Sequence, residues 1–96
     1  MNVSQYIVQY LEDYGIEDIF LVTGGGAMHL NNSIANSKKI KYTCFHHEQA
    51  ASIAAEGYYR SSGKIAVVCC TSGPGGTNCL TGVLGQWLDG IPCLYL

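Results

Sequence analysis

Asp18-Ile19-Phe20-Leu21-Val22-Thr23-Gly24-Gly25-Gly26-Ala27 is the stretch on which the fold turns. Its first five residues make a short, nearly continuous apolar run that stops at glycines, the pattern of a strand buried on both faces of a parallel sheet. Upstream, Val3 to Tyr14 puts Val3, Ile7, Tyr10, Leu11 and Tyr14 on one face at helical spacing, with Asn2 as N-cap, Gln5 three residues on and Gly15 as the stop. Downstream the pattern repeats. A helix from about Met28 to Asn36, a strand at Ile40 to Phe45, a helix from Glu48 to about Arg60, a strand at Ile65 to Cys70, a helix from about Thr77 to Trp87 and an apolar run at Pro92 to Leu96 follow in turn. Strands alternating with helices imply right-handed crossovers and a parallel sheet covered on both faces, so the fold class is α/β.

Composition narrows the function. The 96 residues, 48% of them hydrophobic, suffice for one small core. A net charge of −2 with five Lys and Arg gives no footprint for a phosphate backbone, which argues against nucleic acid as a partner. No apolar run approaches the roughly 18 to 20 residues needed to span a bilayer. The start, Met1-Asn2-Val3-Ser4-Gln5, lacks a basic region followed by an apolar segment, and a cytoplasmic protein is expected. Cys44, Cys69, Cys70, Cys79 and Cys93 are odd in number and lie in strand-like or helix-like runs, so they read as reduced, small buried hydrophobes. They contain no C-x-x-C, and His46-His47 lacks the second His one helical turn later that a zinc helix needs; no metal site is expected from these residues. Ile91-Pro92-Cys93-Leu94-Tyr95-Leu96 reads as a buried strand with no loop or helix after it, which points to a piece of a longer protein.

Glu48 is the residue that carries chemistry. It is a lone carboxylate at the start of a small, apolar helix, Glu48-Gln49-Ala50-Ala51-Ser52-Ile53-Ala54-Ala55. A carboxylate facing such an interior loses hydration, which disfavours its charged form and suits it to give or take a proton. Two glycine loops flank it in sequence, Thr23-Gly24-Gly25-Gly26-Ala27 and Thr71-Ser72-Gly73-Pro74-Gly75-Gly76-Thr77-Asn78, each between a strand and a helix. In open α/β sheets ligands bind at the carboxyl ends of strands, where all three segments fall. Neither loop completes a dinucleotide fingerprint, because His29 and Asn78 stand where a third Gly or Ala is needed. One such loop alone reads as a tight turn; two around a desolvated carboxylate point to a site. His46 and His47 are candidates for polar contacts there or for structural hydrogen bonds at the helix start. Glu56 is the competing carboxylate, read as structural, and Arg60 and Lys64 are read as solvated charges.

Phe20 to Ala27, His46-His47-Glu48-Gln49-Ala50-Ala51 with Ala54-Ala55-Glu56-Gly57-Tyr58, Thr71 to Asn78, and Trp87-Leu88-Asp89-Gly90-Ile91-Pro92 together resemble the pyrimidine-binding domain of thiamine diphosphate enzymes. The acetolactate synthase and pyruvate decarboxylase-like group is the most similar branch. The resemblance covers essentially the whole chain, with segments in order and at the right spacing. It departs at Thr23-Gly24, where acetolactate synthases usually have a proline.

The resemblance implies a three-layer, flavodoxin-like parallel sheet, truncated after about four strands, with residues 1–96 as the N-terminal part of the pyrimidine-binding domain of a longer enzyme. It implies that Glu48 hydrogen-bonds the cofactor's pyrimidine and promotes formation of the thiazolium ylide, which attacks a 2-oxo acid. Gly24, Gly25, Gly26, Pro74, Gly75 and Asn78 are implied to lie about the cofactor. Thiamine diphosphate is the implied cofactor, with Mg²⁺ held by a domain outside this chain and FAD left open. A homodimer or homotetramer with sites between subunits is implied. Decarboxylation without carboligation is the alternative chemistry, and a non-catalytic nucleotide-binding or subunit-pairing module is the alternative of another class.

Overall fold

The computed structural model describes residues 1–96. Helix α1 (Val3–Tyr14) leads into β1 (Asp18–Leu21), a single 3₁₀ turn (Gly25–Ala27) and α2 (Met28–Ala35). Strand β2 (Lys41–Cys44), α3 (Glu48–Ser62), β3 (Val67–Cys69), the one-turn α4 (Pro74–Thr77), α5 (Leu80–Asp89) and β4 (Leu94–Tyr95) complete the chain. All pairings are parallel, in the order β2-β1-β3-β4. The fold is α/β, in keeping with a truncated flavodoxin-like sandwich of helices, sheet and helices.

Burial explains why β1 reads as apolar throughout. Ile19 and Leu21 enter one core with Val8 and Leu11 of α1, Ile34 of α2, and Val67 and Cys69 of β3. Phe20 points the other way, to Ala51 and Ala55 of α3, Val68 and Cys79. A central strand has no solvent face, so period-2 alternation vanishes there. At the edge it is lost for the opposite reason, since every residue of β2 is exposed. The backbone ladder continues one residue past the strand limits, through Phe45 N–H to Leu21 O at 2.7 Å and Val22 N–H to Cys69 O at 3.3 Å.

Helix α1 has the anticipated stops: Asn2 and Gln5 exchange side chain-to-backbone bonds in a capping box, and Gly15 takes φ 99°. Its buried face differs from the expectation. Val8 and Leu11 are buried with Ile7 beside them, whereas Val3, Tyr10 and Tyr14 are exposed. Tyrosines keep a polar tip in water, and these two stack on each other at the rim of an apolar cleft instead of entering the core. The last strand also differs. Only Leu94 and Tyr95 pair, at the sheet edge, and Leu94 is 43% exposed because its side chain lines the open apolar cleft and no element covers it. The helix anticipated from Thr77 to Trp87 is divided, with Asn78 and Cys79 between α4 and α5.

Helices α3 and α5 pack unusually closely. A Cβ on Gly82 would collide with Ser52 Oγ and lie 2.5 Å from Ser52 Cβ. That approach fixes the rotation of α5 about its axis. The helix buries Gly82 and Gln86 and turns Leu80, Leu84, Trp87 and Leu88 to solvent. Gln86 satisfies its buried amide, donating to Ser52 O at 2.7 Å and accepting from the Tyr95 hydroxyl at 2.6 Å. Arg60 and Lys64 are exposed but paired, correcting the reading of them as merely solvated: Arg60 joins Glu56 on α3 to Asp89 on α5, and Lys64 pairs with Glu17. At such exposure solvent screens these pairs, and they add little to stability.

Helix propensity alone would have Gly82→Ala stabilise α5 by about 1 kcal/mol, whereas the close approach to Ser52 predicts overpacking and a loss of about 1–3 kcal/mol. Urea denaturation decides the sign, and Ser52→Gly combined with Gly82→Ala should recover part of the loss. A neutral or stabilising Gly82→Ala would contradict the packing described.

Candidate functional site

The sheet order creates a crevice. From β1 the chain passes to β2 on one side and then returns to β3 on the other, so the loops after β1 and β3 leave neighbouring strands in opposite directions. This topological switch point is where open α/β sheets bind ligands. The Gly24–Gly26 loop follows β1, the Thr71–Asn78 segment follows β3, and Glu48 opens the helix after β2. The three segments singled out in the sequence meet at this end of the sheet.

Thr71 joins the two loops. Its Oγ1 accepts from Gly26 N–H at 3.0 Å. A Cβ on Gly24 would lie 2.5 Å from Thr71 Cβ, and one on Gly75 would lie 2.8 Å from Thr71 Cγ2. At Gly24 and Gly75 the Thr71 side chain fills the space that a Cβ would need, so only glycine fits at either position. Gly25 is different, with open space where its Cβ would be. Pro74 is exposed at the start of α4, after Gly73 at φ 68° and ψ −127°, a backbone conformation that only glycine adopts readily.

Glu48 is buried to 8% exposure. Its Oε1 accepts from Asn78 Nδ2 at 3.1 Å. Oε2 has no hydrogen-bond partner in the protein and lies 3.4 Å from where a Gly75 Cβ would stand. No side-chain oxygen or nitrogen is both sealed from solvent and unpaired, so the free oxygen retains access to the crevice. The Asn78 amide and the N-terminus of α3, of which Glu48 is the first residue, supply partial positive charge in place of water lost on burial.

The other titratable groups near the site have quieter roles. His47 caps α3, its Nδ1 accepting from Gln49 N–H at 3.0 Å, and His46 is exposed. Glu56 binds Arg60 and does not reach Glu48's partners. Cys79, the residue after Asn78, is buried, and that burial, with Cys70 and the Glu48 charge nearby, pushes its thiol up to about 12. Burial likewise raises Cys69 and Cys93 to about 11. These thiols stay neutral near neutral pH and pack as small apolar groups; Cys44, in contrast to expectation, is exposed on the edge strand.

A hollow of about 440 Å³ lined by Thr23, Gly24, Gly25, Met28 and Asn31 opens beside the first glycine loop. The more apolar cleft, about 290 Å³, lies at the amino ends of the strands between Tyr10, Tyr14, Ile65 and Pro92, away from Glu48. No three His, Cys, Asp or Glu side chains converge as metal ligands. Sequence reasoning assigned no role to Thr71 or Gln86. Nothing in a one-dimensional pattern indicates which strands are neighbours, and both residues act across neighbouring elements.

Residues 1–96 match the family described as thiamine pyrophosphate enzyme, N-terminal TPP binding domain. The acetolactate synthase large subunit of Lactococcus lactis subsp. lactis (strain IL1403) is 45% identical over 91 residues, which cover 95% of this chain and 16% of that protein. The acetolactate synthase large subunit of Haemophilus influenzae (strain ATCC 51907 / DSM 11121 / KW20 / Rd) is 39% identical over 96 residues, covering 100% of this chain and 17% of that protein. Chloroplastic acetolactate synthase of Arabidopsis thaliana is 41% identical over 93 residues, 97% of this chain and 14% of the relative. The chain thus spans a small part of the length of the relatives it matches. It belongs to the thiamine pyrophosphate enzyme family, as an acetolactate synthase-like N-terminal TPP-binding domain.

Proposed function

We propose that this chain contributes the pyrimidine half of the cofactor site in an acetolactate synthase-like enzyme acting on 2-oxo acids. The observation that carries the reading is Glu48, buried at the topological switch point with one oxygen held by Asn78 and the other free. A single free carboxylate oxygen at the mouth of a narrow crevice fits one ring nitrogen of a flat heterocycle. Thiamine diphosphate, when bound, supplies an electron sink for the carbanion left when a 2-oxo acid loses carbon dioxide.

The residues of this chain do the rest. Glu48, through its free Oε2, would hold the pyrimidine and share a proton with it. The crevice walls formed by the two glycine loops orient the ring through backbone groups at Gly25 and around Gly73 to Gly75. Burial of Glu48 itself, with Ala51 one helical turn along α3 and Cys79 beside Asn78 also buried, limits access of water. Mg²⁺ and the diphosphate are assigned in this reading to another part of the full-length enzyme. Carboligation is preferred over simple decarboxylation because the similar proteins named above are acetolactate synthases.

Glu48→Gln in the full-length enzyme should lower turnover at least about 100-fold with the circular dichroism spectrum unchanged, since an amide cannot deliver the proton. Turnover within threefold of wild type would remove Glu48 from the mechanism.

The partner is proposed to be a second copy. Leu80, Leu84, Trp87 and Leu88 recur at helical spacing on α5 and are exposed, and the only charge on α5, Asp89, is occupied by Arg60. An uncharged apolar stripe of this kind is a surface for another apolar element. Sedimentation of the full-length protein should give at least a dimer, and Leu84→Glu with Trp87→Glu should shift it to smaller species. A wild-type monomer with full activity at assay concentration would contradict the arrangement.

A further inference from the structure

We propose that Asn78 is the positioning residue of this site: its amide holds Oε1 of Glu48, so that Oε2 alone is presented to the ligand. The inference rests on the reading of Glu48 given above. Asn78 lies between α4 and α5, thirty residues from Glu48, and the 3.1 Å bond from Nδ2 to Oε1 joins two of the loops that form the crevice.

Neighbouring polar groups make no bond to the carboxylate. Thr77 Oγ1 donates to Pro74 O and Cys79 Sγ to Gly75 O, while Thr71 Oγ1 accepts from Gly26 and does not bond Glu48. Asn78 is thus the sole protein donor to the carboxylate. The torsion that turns a carboxylate about its last bond is soft and nearly two-fold, so without a donor on one oxygen the group would turn freely and offer either.

The chemistry also selects an amide. A lysine or arginine here would hold Glu48 permanently ionised, because an opposite charge at hydrogen-bond distance strongly favours the carboxylate. A neutral N–H donor orients the group and leaves it able to take up and release a proton. The fold supports the orienting role, since Asn78 leads directly into α5, and α5 is seated on α3, the helix that carries Glu48, by the Gly82–Ser52 approach and the Gln86 bond to Ser52 O.

The test is made on the full-length protein with Asn78→Asp, Glu48→Gln and the double variant. In Asn78→Asp two carboxylates stand about 3 Å apart and cannot both ionise at ordinary cost. Unfolded, both ionise above about pH 4; folded, they resist, so stability is lost as pH rises. The melting temperature of Asn78→Asp should therefore fall between pH 5 and pH 8 relative to wild type. The double variant should lose that pH dependence, because the amide that Glu48→Gln introduces can donate to the carboxylate that Asn78→Asp introduces.

The acid limb of turnover in Asn78→Asp should move up by at least about one pH unit, and kcat should drop at least about tenfold with KM changed less than about threefold. Thiamine diphosphate affinity, measured by calorimetry with Mg²⁺ across the same range, should show the same displaced limb. A wild-type pH profile for turnover and affinity in Asn78→Asp overturns the proposal, as does a loss of stability that the double variant does not relieve. Retained turnover in Glu48→Gln alone would instead overturn the reading of Glu48, while the melting data would still report on the pair. The two failures are therefore separable.

Discussion

Thr71 fills the volume that Gly24 and Gly75 leave empty, and the rest of the site depends on that fit. Neighbouring strands are about 4.8 Å apart, so loops leaving β1 and β3 must either collide or interlock. Here they interlock around one β-branched side chain, whose hydroxyl also ties down Gly26. A larger residue at position 71 would part the loops, and a side chain at position 24 or 75 would do the same from the other side. The two glycine loops are thus a single packed unit. Thr71 thereby seats Gly75 as well as Gly24, and a Cβ on Gly75 would stand 3.4 Å from Glu48 Oε2.

The second constraint is the seat of α5 on α3. Burying a glycine and a glutamine while turning leucines outward inverts the usual arrangement of an amphipathic helix. Close backbone approach at Gly82 and two short hydrogen bonds on Gln86 stabilise that inverted seat. Its consequences run in both directions: Asn78, at the head of the segment, meets Glu48, and an apolar stripe is left on the far side.

Much of this was legible in the sequence, and the reasons for the exceptions are physical. The strand at Asp18 is readable because burial on both faces produces a continuous apolar run, and α1 because its caps are local in sequence. Glu48 stands out because a carboxylate at the head of an alanine-rich helix conflicts with its surroundings. The burial of Tyr10, Tyr14 and the last strand was misjudged for one reason: hydrophobic spacing reports which residues share a face, not whether another element covers that face. Thr71, Gln86 and the Asn78–Glu48 bond were illegible as roles because each acts across elements distant in sequence, and adjacency of strands is a property of topology. That Gly24 and Gly75 make room for the Thr71 side chain is illegible for the same reason, since Thr71 reaches them across strands.

The most direct test of the account is a crystal structure of the full-length protein with thiamine diphosphate bound. The account predicts the pyrimidine nitrogen within about 3 Å of Glu48 Oε2, with Asn78 still donating to Oε1 and Thr71 still between the two glycine loops. A pyrimidine bound away from this end of the sheet, or bound to Oε1 with Asn78 displaced, would contradict it.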